Sequence, residues 1–410
     1  MVVNPVLICG LKMRALGQYL IIWAGLLGAP VAFASDVPAA SGVDFYRWLV
    51  SEPGQRASLA QLKKQCENVL GEAAHLKCAV TVFARMLEAK AANQLPEYYL
   101  AIQRRHGRAI EADADLKPLF SMFGDQSLAI LAATGEFSVR GPRQPEVLPI
   151  HPYAKDAYFA EEVLPFVDVD AANGATTRFV LDTGAPQTRV NAATAKLMGI
   201  RLLPDASYRY STFYGEKALP ARLGILASLR VGHREFRNVL VFVSDRENLL
   251  GLDLISKLGP LRITRRALEL NPPLSVRCDT PITYSRQDLN QRLLVEAWLD
   301  RRATRAIIDT GNIDYLTTAT LGDQVGASAI RPGNSPTQGP DRTRYQSVQG
   351  VLAMRGTALP VTYKYFPGFT LPPSWVAGHY VPSILLGWRA FNDFELHLDI
   401  ESGHSCLNRI

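Results

Sequence analysis

Two aspartates in matched settings are the residues of this sequence best suited to chemistry. The stretch Phe179-Val180-Leu181-Asp182-Thr183-Gly184-Ala185 is echoed by Ala306-Ile307-Ile308-Asp309-Thr310-Gly311-Asn312. In each, three apolar residues run straight into the carboxylate, as a buried strand would deliver it into a tight turn. The glycine that follows lets another part of the chain come close. An ionised carboxylate is costly to bury, so a lone aspartate in such a place needs a partner or a proton. Two that face each other meet that need jointly: at close range both cannot ionise easily, so they share one proton and titrate as a pair. The ionised member can then take a proton from a water held between them while the protonated member donates to a carbonyl. Such a scheme requires no metal, no cofactor and no covalent intermediate.

The echo extends to both sides of the aspartates. Thr177-Arg178 stands five and four residues before the first, and Thr304-Arg305 stands at the same offsets before the second. Downstream, Leu249-Leu250-Gly251 begins a run that ends Ala267-Leu268-Glu269-Leu270-Asn271, and Leu385-Leu386-Gly387 begins one that ends Ser405-Cys406-Leu407-Asn408. The glycines lie 69 and 78 residues after their aspartates. One unit of roughly 120 residues is therefore present twice, a size that each half can fill as a compact lobe.

Hydrophobic-hydrophobic-Asp-Thr-Gly followed later by hydrophobic-hydrophobic-Gly resembles the aspartic peptidases. The first copy is similar to the retropepsin branch in Asp182-Thr183-Gly184-Ala185, in Thr188 six residues past the aspartate, and in Leu-Leu-Gly-Leu-Asp-Leu-Ile over 249–255. Both copies lie in one chain, as in pepsins. The resemblance covers about residues 160–410 and implies a mainly β, two-lobed fold in which Asp182 and Asp309 form a catalytic dyad that hydrolyses peptide bonds. It also implies that the Thr183 and Thr310 hydroxyls lock the two loops together, and that Gly184 and Gly311 contact the carboxylates. A hairpin over 208–218, with Tyr214 and Gly215, stands where such proteins carry a flap over the dyad. The second copy departs from the pattern, with Asn312 where a small residue is usual and Tyr315 where the threonine would be. The competing expectation is a degenerate copy that keeps the fold and binds peptides, or acts as a scaffold, without cutting.

The fold class expected is α+β, with an all-α domain preceding the two β lobes. Over 35–134, Ser58 and Gln61 form a capping-box pattern ahead of Leu59, Leu62, Cys66, Val69 and Leu70, which share one helical face. Val80, Phe83, Met86 and Leu87 repeat that spacing, and Tyr98, Tyr99, Ile102 and Ile110 continue it. A last short helix is expected through Leu128, Ile130 and Leu131. Residues 135–159, rich in Pro and Gly near their start, read as a linker. Beyond them the period changes: Phe166-Val167-Asp168-Val169-Asp170 alternates, Asn173-Gly174 marks a turn, and 178–181 is the return strand of a hairpin. The lobes are expected over 160–277 and 278–410. Polar residues 332–350 read as a long mobile loop over the cleft or at its rim.

Composition bounds the remaining possibilities. The chain has 410 residues, 48% hydrophobic and 20% charged, enough for one large core or two to three smaller ones. Residues 1–34 read as a signal peptide: Lys12 and Arg14 precede an apolar run over 19–31, and Ala32-Phe33-Ala34 supplies a small-x-small cleavage site. Its removal lowers the net charge from +6 to +4. An exported protein, periplasmic or secreted, with no membrane span after processing is expected. No Lys/Arg block suggests a nucleic-acid partner. With Cys9 in the segment to be removed, Cys66, Cys78, Cys278 and Cys406 remain. An even number in an exported chain favours two disulfides. Cys66 and Cys78 flank Gly71 on helical segments that an antiparallel hairpin would bring together, and Cys278 with Cys406 would tie the ends of the second lobe. The other pairings stay open at this level. Cys-x-x-Cys and His-Glu-x-x-His are both absent, so no metal site is expected. Because both aspartates lie in one chain, activity as a monomer is expected. Asp253 and Asp399 read as structural, and His397 and His404 as turn or surface residues.

Overall fold

The computed structural model describes residues 4–5, 45, 47–49, 51–114, 116–152, 164–211, 219–273, 277–286, 291–318, 330–334, 344–366 and 384–410. The segment 1–34 read as a signal peptide lies, apart from 4–5, outside the described residues, as do Tyr214 and Gly215.

The N-terminal region is helical, with Leu59–Glu67, Glu72–Glu88, Leu95–Ala112 and Asp125–Ala132 as its longer helices. Leu59–Glu67 opens on the capping box. Ser58 Oγ accepts the Gln61 N–H at 3.2 Å and Gln61 Oε1 accepts the Ser58 N–H at 2.8 Å, satisfying two donors that a helix start leaves open. Leu62 and Cys66 turn inward, whereas Leu70 is exposed because the helix stops at Glu67. Gly71, at φ 87°, reverses the chain and brings Cys66 to Cys78 in a disulfide with Cα atoms 5.6 Å apart.

These helices do not enclose a core of their own. Leu203, Ala206, Tyr210, Leu223, Ile225, Leu240 and Phe242, from the strands Arg201–Ser211, Leu219–Val231 and Arg234–Ser244, belong to the same apolar cluster as Phe83, Tyr99 and Leu131. Along the last of those strands Val239, Val241 and Val243 face the β core while Leu240 and Phe242 face the helices, the two-residue period of a strand buried on both sides. Asp205 accepts the Gln126 and Ser127 N–H groups at 3.3 and 2.9 Å, so a β-strand supplies the acceptor for the start of Asp125–Ala132. The helices therefore share this apolar cluster with the strands and form a layer on one face of the first β half.

Parts of the expected linker are built into the sheets, and its residues 153–159 lie outside the described residues. Ser138–Arg140 pairs with Arg234–Ser244 (Val139 opposite Phe236), and Glu146–Pro149 pairs with Ala267–Leu270 (Leu148 opposite Leu268). Pro149 ends a strand, and Pro142 and Pro145 lie in the connection between strands, places where a missing N–H is tolerated.

The β region repeats one pairing scheme. The first aspartate strand, Thr176–Leu181, lies parallel to Leu249–Leu250, which lies antiparallel to Arg189–Asn191. The second aspartate strand, Arg302–Ile308, lies parallel to Ile384–Leu386, which lies antiparallel to Leu316–Thr318. Leu181 faces Leu250 in the first and Ile308 faces Leu386 in the second. The hairpin ahead of Asp182 forms as its sequence indicates: Asp170 pairs with Thr176 around Gly174 at φ 82°. In the second half, the stretch read as a rim loop is partly strand. Ile330–Asn334 pairs with Arg344–Met354, and 335–343 lie outside the described residues.

A further sheet joins the two halves, in the order Thr280–Pro281, Cys406–Arg409, Phe394–Leu398, Leu261–Ile263, Ala267–Leu270, Glu146–Pro149. Leu261 and Leu398 are partners across the junction, and the Cys278–Cys406 disulfide, Cα atoms 5.4 Å apart, staples its edge. Among the described residues no helix is long and apolar enough to cross a membrane.

Candidate active site

Asp182 and Asp309 are fully buried, each just past the end of its aspartate strand. The ladder carries on into the turns: the Asp182 N–H donates to Leu250 O at 3.0 Å and the Asp309 N–H to Leu386 O at 2.9 Å. Both carboxylates are thus fixed at the backbone before any side chain contributes.

The adjacent threonines cross between the halves. The Thr183 N–H donates to Thr310 Oγ1 at 3.0 Å, and the Thr310 N–H donates to Thr183 Oγ1 at 3.1 Å. The Thr183 hydroxyl donates to Ile308 O at 2.8 Å, and the Thr310 hydroxyl donates to Leu181 O. Each hydroxyl therefore accepts from the opposite turn and donates to the opposite aspartate strand. Being fully buried, these bonds are costly to leave unmade.

The glycines complete the approach. A Cβ placed on Gly184 would lie 2.2 Å from the Asp309 Cγ, and one on Gly311 would lie 2.3 Å from the Asp182 Cγ. No side chain fits there, so each glycine admits the carboxyl group of the other half. Asp182 Oδ1 also accepts the Gly184 and Ala185 N–H groups at 3.0 and 2.9 Å. Burial, reinforced by the negative charge of Asp309 and opposed in part by the Ala185 N–H, pushes the Asp182 carboxyl up to about 7. A proton is consequently retained at this centre through the mildly acid range.

The first turn is braced from behind. Thr188 Oγ1 donates to Asp253 Oδ1 at 2.7 Å and accepts the Gly251 N–H at 3.1 Å, while the Thr188 N–H donates to Asp253 Oδ2 at 3.0 Å. Asp253 pairs with Lys90, which also donates to Gln187 Oε1 at 3.0 Å and to Leu240 O at 2.8 Å. A second line runs from buried Glu88, held by Arg85 at 2.9 Å and Arg286 at 2.6 Å, through Tyr284 to Gln291, which donates to Pro186 O at 3.4 Å.

The second turn is held differently. Asn312 Nδ2 donates to Thr317 Oγ1 at 3.0 Å, Asn312 Oδ1 accepts the Asp314 N–H at 3.1 Å, and Thr317 Oγ1 donates to Asp314 Oδ2 at 3.3 Å. Lys364 pairs with Asp314 at 2.7 Å. Tyr315 contributes its carbonyl, which accepts the Gly387 N–H at 3.0 Å.

Of the residues singled out from sequence, the structure brings together Asp182, Thr183, Gly184, Asp309, Thr310 and Gly311. The strands on either side of the expected flap pair as far as Tyr210 with Leu219, and its tip lies outside the described residues. Asp399 accepts the Ser402 N–H at 3.1 Å within a turn. His397 contacts Glu395 at 2.7 Å in the sheet that joins the halves. Among the described residues no cluster of three or more His, Cys, Asp or Glu side chains is set to hold a metal. Lys90, Gln187 and Glu88 were missed. In Glu88-Ala89-Lys90-Ala91 the charges read as the solvated end of a helix, and nothing local marks them as buried.

Residues 170–257 match the model of the gag-polyprotein putative aspartyl protease family, a span that includes the first Asp-Thr-Gly and Asp253 but not the second half. Among curated proteins none matches the chain in sequence. Among solved structures, basic 7S globulin from soybean is similar at 12% identity, covering 65% of this chain and 95% of its own, with a TM-score of 0.38. Conglutin gamma, a basic 7S globulin from lupine seeds, gives 10% identity, the same coverages and a TM-score of 0.38. A retropepsin-like aspartic protease from Rickettsia conorii gives 19% identity over 33% of this chain and 94% of its own, with a TM-score of 0.23.

Proposed function

We propose that this chain is an exported aspartic endopeptidase built from two copies of a retropepsin-like lobe, with Asp182 and Asp309 as its catalytic dyad. The observation that carries the reading is reciprocal. Gly184 admits the Asp309 carboxyl and Gly311 admits that of Asp182, with Thr183 and Thr310 locked across the same junction.

One proton is shared by the pair and rests on Asp182, where burial favours the neutral form. Asp309 takes a proton from a water lying between the carboxyls as that water attacks the peptide carbonyl carbon. Asp182 gives its proton to the carbonyl oxygen. The tetrahedral diol then collapses: the proton on Asp309 passes to the amide nitrogen, one diol hydroxyl returns a proton to Asp182, and the C–N bond breaks. The dyad ends as it began, and both aspartates are needed in each turnover. Because one chain supplies both, the active form is a monomer. Peptides or proteins outside the cytoplasm are the substrates, in keeping with two disulfides.

A peptide-binding role without cleavage is the reading that Asn312 and Tyr315 favour. Against it, Asn312 is absorbed into the bonds with Thr317 and Asp314, and the turn still presents Asp309 to Gly184. The test is cleavage of a peptide library by the mature chain and by Asp182→Asn and Asp309→Asn. Each substitution should lower kcat/KM by about 10⁴-fold or more, with the double variant hardly worse, and activity per molecule should not change on dilution. Cleavage retained by Asp309→Asn would remove the second half from the mechanism.

A further inference from the structure

A lysine from the helical layer reaches the back of the first aspartate turn. The Lys90 and Asp253 side chains are fully buried. An ammonium group has three protons to donate, and Asp253, the Gln187 side chain and the Leu240 carbonyl surround this one. Asp253 in turn holds Thr188 by both its hydroxyl and its N–H, and the Thr188 hydroxyl accepts the Gly251 N–H. Gly251 follows Leu250, whose carbonyl accepts the Asp182 N–H. A continuous set of bonds therefore connects Lys90 to the backbone of Asp182. Gln187 lies in the same turn.

Lys90 itself stands where the helix Glu72–Glu88 ends: its φ of 59° belongs to the cap in which the Lys90 N–H donates to Leu87 O at 3.2 Å and the Ala91 N–H to Met86 O at 2.9 Å. The second half obtains its equivalent cation from its own strand: Lys364, in Thr357–Tyr365, pairs with Asp314.

We propose that Lys90 is a positioning residue for the dyad, so that the helical layer is a fixed part of the catalytic apparatus rather than a detachable propeptide or a docking module. The proposal rests on the endopeptidase reading above. Lys90 does not touch substrate. It sets the turn that places the Asp182 carboxyl against Gly311 and Asp309, where a shift of one ångström is enough to cost on the order of 10²-fold in rate.

The test uses the full mature chain carrying Lys90→Met, and a second form carrying Lys90→Met with Asp253→Asn. Steady-state cleavage of a peptide and urea unfolding are both read. Lys90→Met strands a buried carboxylate, so the unfolding midpoint should fall and kcat should drop by about tenfold or more with KM within about threefold. In the double form no buried ion is left without its partner, and the one oxygen of the amide introduced at 253 keeps one of the two bonds from Thr188. The midpoint should recover in large part while kcat stays low, because Gln187 and Leu240 O have still lost their donor. A double form that regains wild-type kcat along with its stability overturns the proposal, and so does a folded Lys90→Met with normal kcat. If Lys90→Met does not fold, the double form carries the test alone. Should the unmodified chain cleave no peptide, the endopeptidase reading fails by itself, and the inference is then decided by carbon-13 titration of the Asp182 carboxyl. A midpoint displaced by about half a unit or more in the double form supports positioning, and an unmoved one overturns it.

Discussion

The turn after Asp182 and the turn after Asp309 are held by the same kinds of group drawn from different places. In the first half a threonine, a buried aspartate and a lysine form the brace, and the lysine comes from the helical layer, 92 residues earlier in the chain. In the second half Asn312, Thr317, Asp314 and Lys364 all come from the half itself. The burial differs as well: the Lys90 and Asp253 side chains are fully enclosed, whereas those of Lys364 and Asp314 keep 17% and 7% of their surface. Two buried carboxylates at the ends of similarly paired strands thus have unlike support. The half whose motif departs from the usual pattern at Asn312 and Tyr315 is the self-sufficient one.

The sharpest way to break this comparison is at the threonines, where the halves are equal. Thr183→Val and Thr310→Val each keep the branched shape but leave a buried N–H in the opposite turn and a buried carbonyl in the opposite aspartate strand without the hydroxyl, at about 1–3 kcal/mol per group. Urea unfolding should therefore report a loss of about 2–6 kcal/mol for each, with the two variants agreeing to within about 1 kcal/mol. A loss confined to one of them would mean that the lock is not reciprocal.

A pH series sharpens the comparison at the carboxyls. The folded chain holds Asp182 near 7, above its ordinary 3.8, chiefly through burial and then through the charge of Asp309. Between those values the folded state binds more protons than the unfolded one. This contribution is complete below about pH 4 and is lost as pH rises through about 7. At about 1.4 kcal/mol per unit it amounts to a few kcal/mol. Unfolding measured at pH 4 and at pH 7.5 should show that fall, and Asp182→Asn should flatten it. Peptide cleavage should decline as the pH passes about 7, where the pair loses its shared proton.

The smallest effect belongs to Lys364→Met. Its partner Asp314 retains some contact with water, so stranding it should cost about 1–2 kcal/mol, against about 3–5 kcal/mol for a buried pair such as Lys90 and Asp253. Comparing the unfolding midpoints of Lys364→Met and Lys90→Met reads this directly. Equal losses would erase the distinction between the braces.

The sequence by itself determined whatever depends on near neighbours. The two apolar runs into Asp-Thr-Gly, the capping box at Ser58 and Gln61, the turn at Asn173-Gly174 and the helical hairpin between Cys66 and Cys78 each follow from residues a few positions apart, because backbone torsion and side-chain period are local properties. The unbroken apolar run Val239-Leu240-Val241-Phe242-Val243 carried a further signal: a strand without alternation is covered on both faces. Only the tertiary structure decided what covers it. The helices lie there, sharing one core with the sheet, because neither their apolar faces nor the strand's outer face can stay in water. Residues 138–140 and 146–149 became strands by the same route, through edges left open by segments about 90 to 130 residues away. Lys90 is the extreme case. Its charge alone predicts solvent, and it is buried because Asp253, Gln187 and Leu240, distant in sequence, converge on one point where an ammonium ion finds acceptors for all three of its protons.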